Sequence, residues 1–277
     1  MNFADFLRSF PPVRYSENPI LRHGECGWKE SQINDPLVVR DIQNPDKLLM
    51  FFTGMAAPTA KGKFSIGLAT ADLSNPYVWT ENPTNPVLTP SDRGHWDDWW
   101  VWATDCHLIN NEYYLFYIGV DHKFSTYKIG LASSPDGLHW TRMNKGKPIL
   151  VPTKSEVHVA YPSLIFENNI WYMFYQWRDR KGPAGVKLAT HAEGTAWDKW
   201  KKAQIPILSR GSPGSFDEKY IEGQQILKVG SDYILLYHAF NGVHWTEGLA
   251  YSRTLCAPFT KFQKNPVFSS GPPDAWD

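Results

Sequence analysis

Asn18-Pro19-Ile20-Leu21 returns along the chain as Asn85-Pro86-Val87-Leu88, Lys147-Pro148-Ile149-Leu150, Ile205-Pro206-Ile207-Leu208 and Asn265-Pro266-Val267-Phe268, at spacings of 67, 62, 58 and 60 residues. A fixed period of this length marks a repeat architecture, in which each repeat is one supersecondary unit stacked on its neighbours. After most of these tetrapeptides comes an aromatic residue with an acidic or polar follower: Trp28-Lys29-Glu30, Trp96-Asp97, Phe216-Asp217 and Trp276-Asp277. The third repeat lacks it.

Three strand-like runs follow in every repeat. The first is short and apolar, as in Pro36-Leu37-Val38-Val39 and Gln225-Ile226-Leu227. The second is aromatic, as in Tyr113-Tyr114-Leu115-Phe116-Tyr117 and Trp171-Tyr172-Met173-Phe174-Tyr175. The third is small and apolar, as in Ile66-Gly67-Leu68-Ala69 and Ile129-Gly130-Leu131-Ala132, and a short edge strand such as Val78-Trp79-Thr80 ends the set. Asn-Asn, Asp-Gly and Asn-Pro pairs punctuate the turns. Four strands per repeat, with no long segment of helical period, predict an all-β, five-bladed β-propeller with one sheet per blade.

The repeats place one propeller domain over residues 1–277, with blades at 18–84, 85–146, 147–204 and 205–264 and a partial fifth at 265–277. Val13-Arg14-Tyr15-Ser16-Glu17 resembles an edge strand and is expected to serve the incomplete blade. An open sheet edge is a liability, so a second copy of the chain covering the gap, a homo-oligomer, is one expectation and missing residues are the other.

Composition narrows the partners. Twenty-eight basic residues against 28 acidic ones give zero net charge, without the basic excess of a nucleic-acid binder. No stretch approaches a membrane span, and Asp5 and Arg8 interrupt the N-terminus where a signal peptide needs an apolar run, so the expected setting is cytoplasmic. Three cysteines, Cys26, Cys106 and Cys256, make no framework or zinc spacing. The aromatic count, 13 Trp, 13 Tyr and 15 Phe, suits stacking on sugar rings as well as core packing.

Aligned on their first strands, the repeats put Asp35, Asp105, Tyr161 and Glu222 at one position, expected to face the central channel. Three carboxylates at such a place point to chemistry, because a confined charge costs desolvation. Asp105 also has a structural reading, capping its strand through backbone N–H groups.

With these contexts, the sequence resembles the five-bladed propeller glycoside hydrolases around family 43, with kinship to families 32, 62, 117 and 130. The resemblance covers nearly the whole chain. Asn34-Asp35-Pro36 is similar to the motif carrying the general base or nucleophile, and Ile221-Glu222-Gly223 to that carrying the general acid. Trp102-Ala103-Thr104-Asp105 resembles the group's Trp-Ala-Pro-Asp signature. Where the family 43 pattern has the Asp that modulates the acid, this chain has Tyr161, leaving Asp105, or Glu156 or His158, to supply the third function.

Such a pair hydrolyses glycosides with one protonated carboxyl at the leaving oxygen and one carboxylate that activates water or attacks the anomeric carbon. The resemblance to family 43 favours inversion of a terminal arabinofuranosyl, xylosyl or related sugar on an oligosaccharide. It requires no cofactor, although it allows a structural calcium. Trp99, Trp100, Trp102, Tyr161, His107 and His158 are the expected substrate contacts, with Trp96 and Trp28 structural and His107 a packed histidine. A non-catalytic sugar-binding propeller, a glycoside phosphorylase and a fructosidase are the alternatives. Ser134-Pro135-Asp136-Gly137 resembles a sialidase Asp-box and is read as a β-turn.

Overall fold

The computed structural model describes residues 3–24, 27–56, 62–182 and 184–271, and the chain is nearly all β. The helical elements among the described residues are Phe3–Arg8 and a short turn at Asn144–Gly146. Cys26 and the Trp276-Asp277 pair lie outside the described residues. Packing divides the chain into two compact units, Glu17–Val151 and Met1–Ser16 with Pro152–Asp277.

Each unit holds two antiparallel four-stranded meanders. In the first, repeat 1 comprises Gln32–Arg40, Lys47–Met55, Phe64–Asp72 and Asn75–Glu81. Repeat 2 comprises Trp100–Ile109, Glu112–Val120, Lys128–Ser134 and Thr141–Arg142, joined to repeat 1 by one parallel pairing of Phe64 with Trp100. In the second unit, repeat 3 comprises Glu156–Glu167, Ile170–Asp179, Ala184–Ala192 and Lys201–Lys202. Repeat 4 comprises Tyr220–Val229, Asp232–Phe240, Trp245–Ser252 and Thr260–Lys261. The first two strands of repeats 2 and 3 join through Asn110-Asn111 and Asn168-Asn169, all at positive φ, the conformation that a two-residue hairpin of matching twist requires. The aromatic second strands form the core: Phe51, Phe116 and Phe174 are fully buried.

Four of the five copies of the recurring tetrapeptide pair back onto the repeat before them, while Ile20 and Leu21 of the first pack on repeat 1. Backbone N–H groups of Val87, Ile149, Ile207 and Val267 each donate to the third strand of the preceding meander, at Ile66, Ile129, Val186 and Glu247, all at 2.8 Å. Asn85 and Asn265 add a matched pair of side-chain bonds to the backbone of Leu68 and Leu249. Asn265-Pro266-Val267-Phe268 thus pairs with the third strand of repeat 4, as its counterparts pair with theirs. Val13–Glu17 forms no strand. Arg14 instead bonds the carbonyl of Ser269 and lies over the Phe268 ring, while Phe3, Phe6 and Leu7 pack against Ile234, Leu249 and Val267.

An ionic clip is repeated beneath each meander, its acid buried in repeats 2, 3 and 4. In repeat 2, Asp97 accepts from the Tyr117 hydroxyl at 3.0 Å and from Arg142 Nε at 2.8 Å. In repeat 4, Asp217 takes the same place with Tyr237 and Lys261. Repeat 3 uses Glu156 with Lys202 at 2.6 Å, and Lys202 sits over the Tyr175 ring. Repeat 1 reverses the charges, with Lys29 on the loop and Glu81 on the edge strand, 3.0 Å apart. Arg142, Lys202, Lys261 and Glu81 pair in register with Ala132, Ala189, Ala250 and Ala69, which establishes the equivalence. Gly130 and Gly248 make room for the clip's tyrosines, since a Cβ on either would stand 2.4 or 2.3 Å from Tyr117 or Tyr237. Glu156, expected as one source of the third catalytic function, is thereby a clip residue and supplies the acid that repeat 3 lacks in its sequence pattern.

Asp136 confirms the turn reading of its segment. Its carboxylate accepts the backbone N–H groups of Leu138 and His139, with further bonds from Ser134 and the His139 ring. Burial alone would raise its pKa, but these bonds outweigh it and hold the carboxyl well below the usual range. A depressed carboxyl stabilises the fold above its unfolded pKa and loses that contribution as pH falls. Asp136→Ala is expected to cost about 2 kcal/mol at neutral pH in urea unfolding. The difference from wild type should shrink as the pH drops below about 4.

Candidate active site

Every first strand carries a β-bulge at the same rung, and the bulges fix which residues correspond. The two bulged residues are Asp35-Pro36, Tyr161-Pro162 and Gly223-Gln224 in repeats 1, 3 and 4, opposite Phe52, Tyr175 and Tyr237. In repeat 2 Ala103-Thr104 occupies it, opposite Tyr117. Asp35 and Tyr161 have φ of 51° and 45°, left-handed values that non-glycine residues adopt at a cost; Gly223 has 57°. Bulges re-aim side chains and gather next to active sites.

This register corrects the expected equivalence of three carboxylates. Asp35 corresponds to Ala103, Tyr161 and Gly223. Glu222 stands one residue earlier, opposite His238, where the other repeats have Asn34, Trp102 and Ala160. Asp105 stands after the bulge, opposite Phe116, where the others have Leu37, Ser163 and Gln225. A bulge adds a residue to one strand only, so alignment by sequence spacing slips there.

The hydrogen-bond donor to the Glu222 carboxylate is a neutral amide. Gln176, itself 6% exposed, donates Nε2 to the Glu222 carboxylate at 3.1 Å and to the carbonyl of Ile221 at 3.2 Å, and its side chain also hydrogen-bonds His158. Burial raises the pKa of Glu222, opposed more weakly by the Gln176 bond and by His238. The His238 ring packs on the Cα of Gly223 and pairs through Nδ1 with Glu247 at 2.5 Å. Gln224 is buried and bonds the carbonyls of Tyr161 and Phe174, tying one bulge to the next. His158 has its pKa lowered by burial and by the charge of Arg178.

Gln176 escapes a reading that looks for acids and aromatics. The available signal for Gln176 is one polar side chain inside the apolar run Met173-Phe174-Tyr175-Gln176-Trp177. Thr53 holds the same rung in repeat 1 and accepts the N–H of Ala103 in the next meander at 3.3 Å.

Gly223→Ala tests the tightness of this corner. Its Cβ would lie 2.1 Å from His238 Cδ2, and alanine at positive φ adds about 1–2 kcal/mol of strain. The expected outcome is a lower urea midpoint together with a displaced pH–rate profile, because the ring beside Glu222 must move.

In the other unit, Asp35 is half-buried at its bulge. Asp105 lies in the middle of its strand, accepts the N–H of Cys106 at 2.8 Å and faces His107 Nε2 at 3.3 Å. Burial and the Asp105 charge push the Cys106 thiol well up. Trp100 is a core residue, 9% exposed, its indole N–H bound to the carbonyl of Gly62 and its ring against Phe64, Trp102 and Phe124. Trp99 and Trp102 are partly exposed on the same cluster. Trp96 stacks on Tyr117 as a structural aromatic.

Among the described residues there is no cluster of three or more His, Cys, Asp or Glu side chains that could hold a metal ion. No helix among them is long and apolar enough to cross a membrane.

No protein-family model matches the chain. An uncharacterised protein of Mycobacterium tuberculosis is 23% identical over 191 residues, 66% of this chain, and the match spans 62% of that relative's length. A thermostable family-43 glycoside hydrolase is similar in structure with a TM-score of 0.63 and 16% identity, over 91% of this chain and 78% of the other. A β-1,2-mannobiose phosphorylase from Listeria innocua gives 0.66 and 13%, over 90% and 81%. At these identities the likeness is one of fold, and the fold is that of the propeller glycoside hydrolases and phosphorylases.

Proposed function

We propose that the chain is a glycoside hydrolase acting on short oligosaccharides, with Glu222 as general acid and Asp35 as the second carboxylate. The observation that carries this reading is the half-buried carboxyl of Glu222, bonded by a neutral amide and raised in pKa by desolvation. A general acid must hold its proton near the working pH, and enzymes tune a Glu upward by such burial. Asp35 is the one acid at any of the four bulges, and the left-handed backbone there is the kind of strain found at functional sites.

In this account Glu222 gives its proton to the leaving oxygen as the glycosidic bond breaks. Asp35 stays ionised and either draws a proton from water or attacks the anomeric carbon, the family resemblance favouring the former. Gln176 keeps the Glu222 carboxyl oriented without neutralising a charge. Arabinofuranosyl, xylosyl, fructosyl and galactosyl substrates, followed by NMR of the product anomer, test the assignment. Cleavage with inversion is the expected result, and a retained anomer would overturn the water-activating role of Asp35. The likeness to a phosphorylase supports a second reading, phosphorolysis, in which turnover depends strictly on inorganic phosphate.

A further inference from the structure

One rung out from Glu222 lies a second array of side chains. Residues two apart on a strand share a face and are about 7 Å apart. Gln176 and Arg178, Glu222 and Tyr220, and His238 and Phe240 are three such pairs, with no register shift inside any of them. The inner members surround the Glu222 carboxyl. The outer members line a basin of about 310 Å³, to which Arg210 and Lys219 also contribute.

The basin has three cationic side chains and no carboxylate in its wall. Arg210 is fixed in place by bonds to the carbonyls of Lys219 and Gly182, both at 3.1 Å. Arg178 makes no carboxylate ion pair among the described residues, and Lys219 has only the surface partner Glu218. Beside the basin, Tyr220, Phe240 and Trp245 stack on one another with centroids 4.8 to 6.5 Å apart. Tyr220 and Trp245 are 40% and 43% exposed, which makes an apolar shelf where a soluble chain usually avoids one.

A neutral sugar could use the shelf without needing three cations beside it. A carboxylate satisfies one guanidinium fork, whereas a phosphoryl group has two charges and three acceptor oxygens to share among several donors. We propose that the basin binds the phosphoryl group of a phosphorylated sugar whose ring lies on the Tyr220–Trp245 shelf. That this sugar belongs to the substrate rests on the glycosidase reading of Glu222; the binding itself does not.

Calorimetric titration of the full chain with glucose 6-phosphate, mannose 6-phosphate, the parent hexoses, glucuronate and inorganic phosphate tests it. At least one hexose phosphate should bind ten times or more tightly than its parent hexose, glucuronate or phosphate, and the affinity should fall with added salt. Arg178→Gln and Lys219→Gln, each checked for an unchanged melting midpoint, should weaken it fivefold or more. Hexose phosphates binding no better than hexoses would overturn the proposal, and so would inorganic phosphate or glucuronate binding as tightly. Glu222→Gln separates the two readings. If it keeps hexose phosphate affinity and glycoside turnover alike, the acid assignment fails and the subsite stands; hexose phosphate binding absent from an enzyme that needs Glu222 gives the reverse.

Discussion

Glu222→Gln will lower glycoside turnover by about 10³-fold, within the range that a positioned general acid supplies, and will raise the thermal midpoint at neutral pH. The two effects have one cause. A carboxyl whose pKa is raised by burial favours the protonated form in the folded state. Its ionisation in the unfolded chain therefore draws stability away as pH climbs through the unfolded value, and the penalty is complete above the folded one. Glutamine is neutral throughout, nearly isosteric, and able to bond Gln176. Melting curves of the two proteins should coincide below the normal carboxylate range and separate as pH rises, with the variant the more stable. Activity and stability moving in opposite directions would mark Glu222 as a residue kept for chemistry.

Asp97→Ala will destabilise the first unit by about 3–5 kcal/mol, the usual cost of removing one partner from a buried ion pair. Asp97 is fully buried and holds both Tyr117 and Arg142, and Arg142 is also bound to the carbonyl of Thr89. Removing the carboxylate strands a guanidinium beneath the sheet and leaves a buried hydroxyl without its acceptor. Urea unfolding measures the loss. A double variant, Asp97→Leu with Arg142→Met, should recover most of it, because the clip's net worth is far smaller than the cost of breaking half of it. Equal losses in the single and double variants would mean that the clip contributes shape specificity and not merely charge balance.

Much of this architecture is legible in the sequence because its repeats are short and each strand type has its own composition. The aromatic second strands and small third strands are where the spacing places them, and the Asn-Asn hairpins form as their residue type requires. Boundaries are less legible. A Pro-Ile-Leu run looks like the start of a repeat when read left to right, yet its backbone bonds turn back to the strand before it. The site is legible in its residues but not in their alignment. A bulge inserts a residue without any composition signal, so Asp35, Asp105 and Glu222 appear equivalent in spacing while the pairing separates them. Glu156 shows the same limit from another side. Its neighbours in sequence are those of a strand entry, and only the contact with Lys202 assigns it to the clip.

The sharpest test of Glu222 as the proton donor is the dependence of Glu222→Gln on the leaving group. Sugar leaving groups need protonation and dinitrophenolate does not. The variant should lose about 10³-fold in turnover of an oligosaccharide while keeping most of its rate on the dinitrophenyl glycoside of the same sugar. An equal loss on both substrates would contradict the assignment and place Glu222 in binding or in another step.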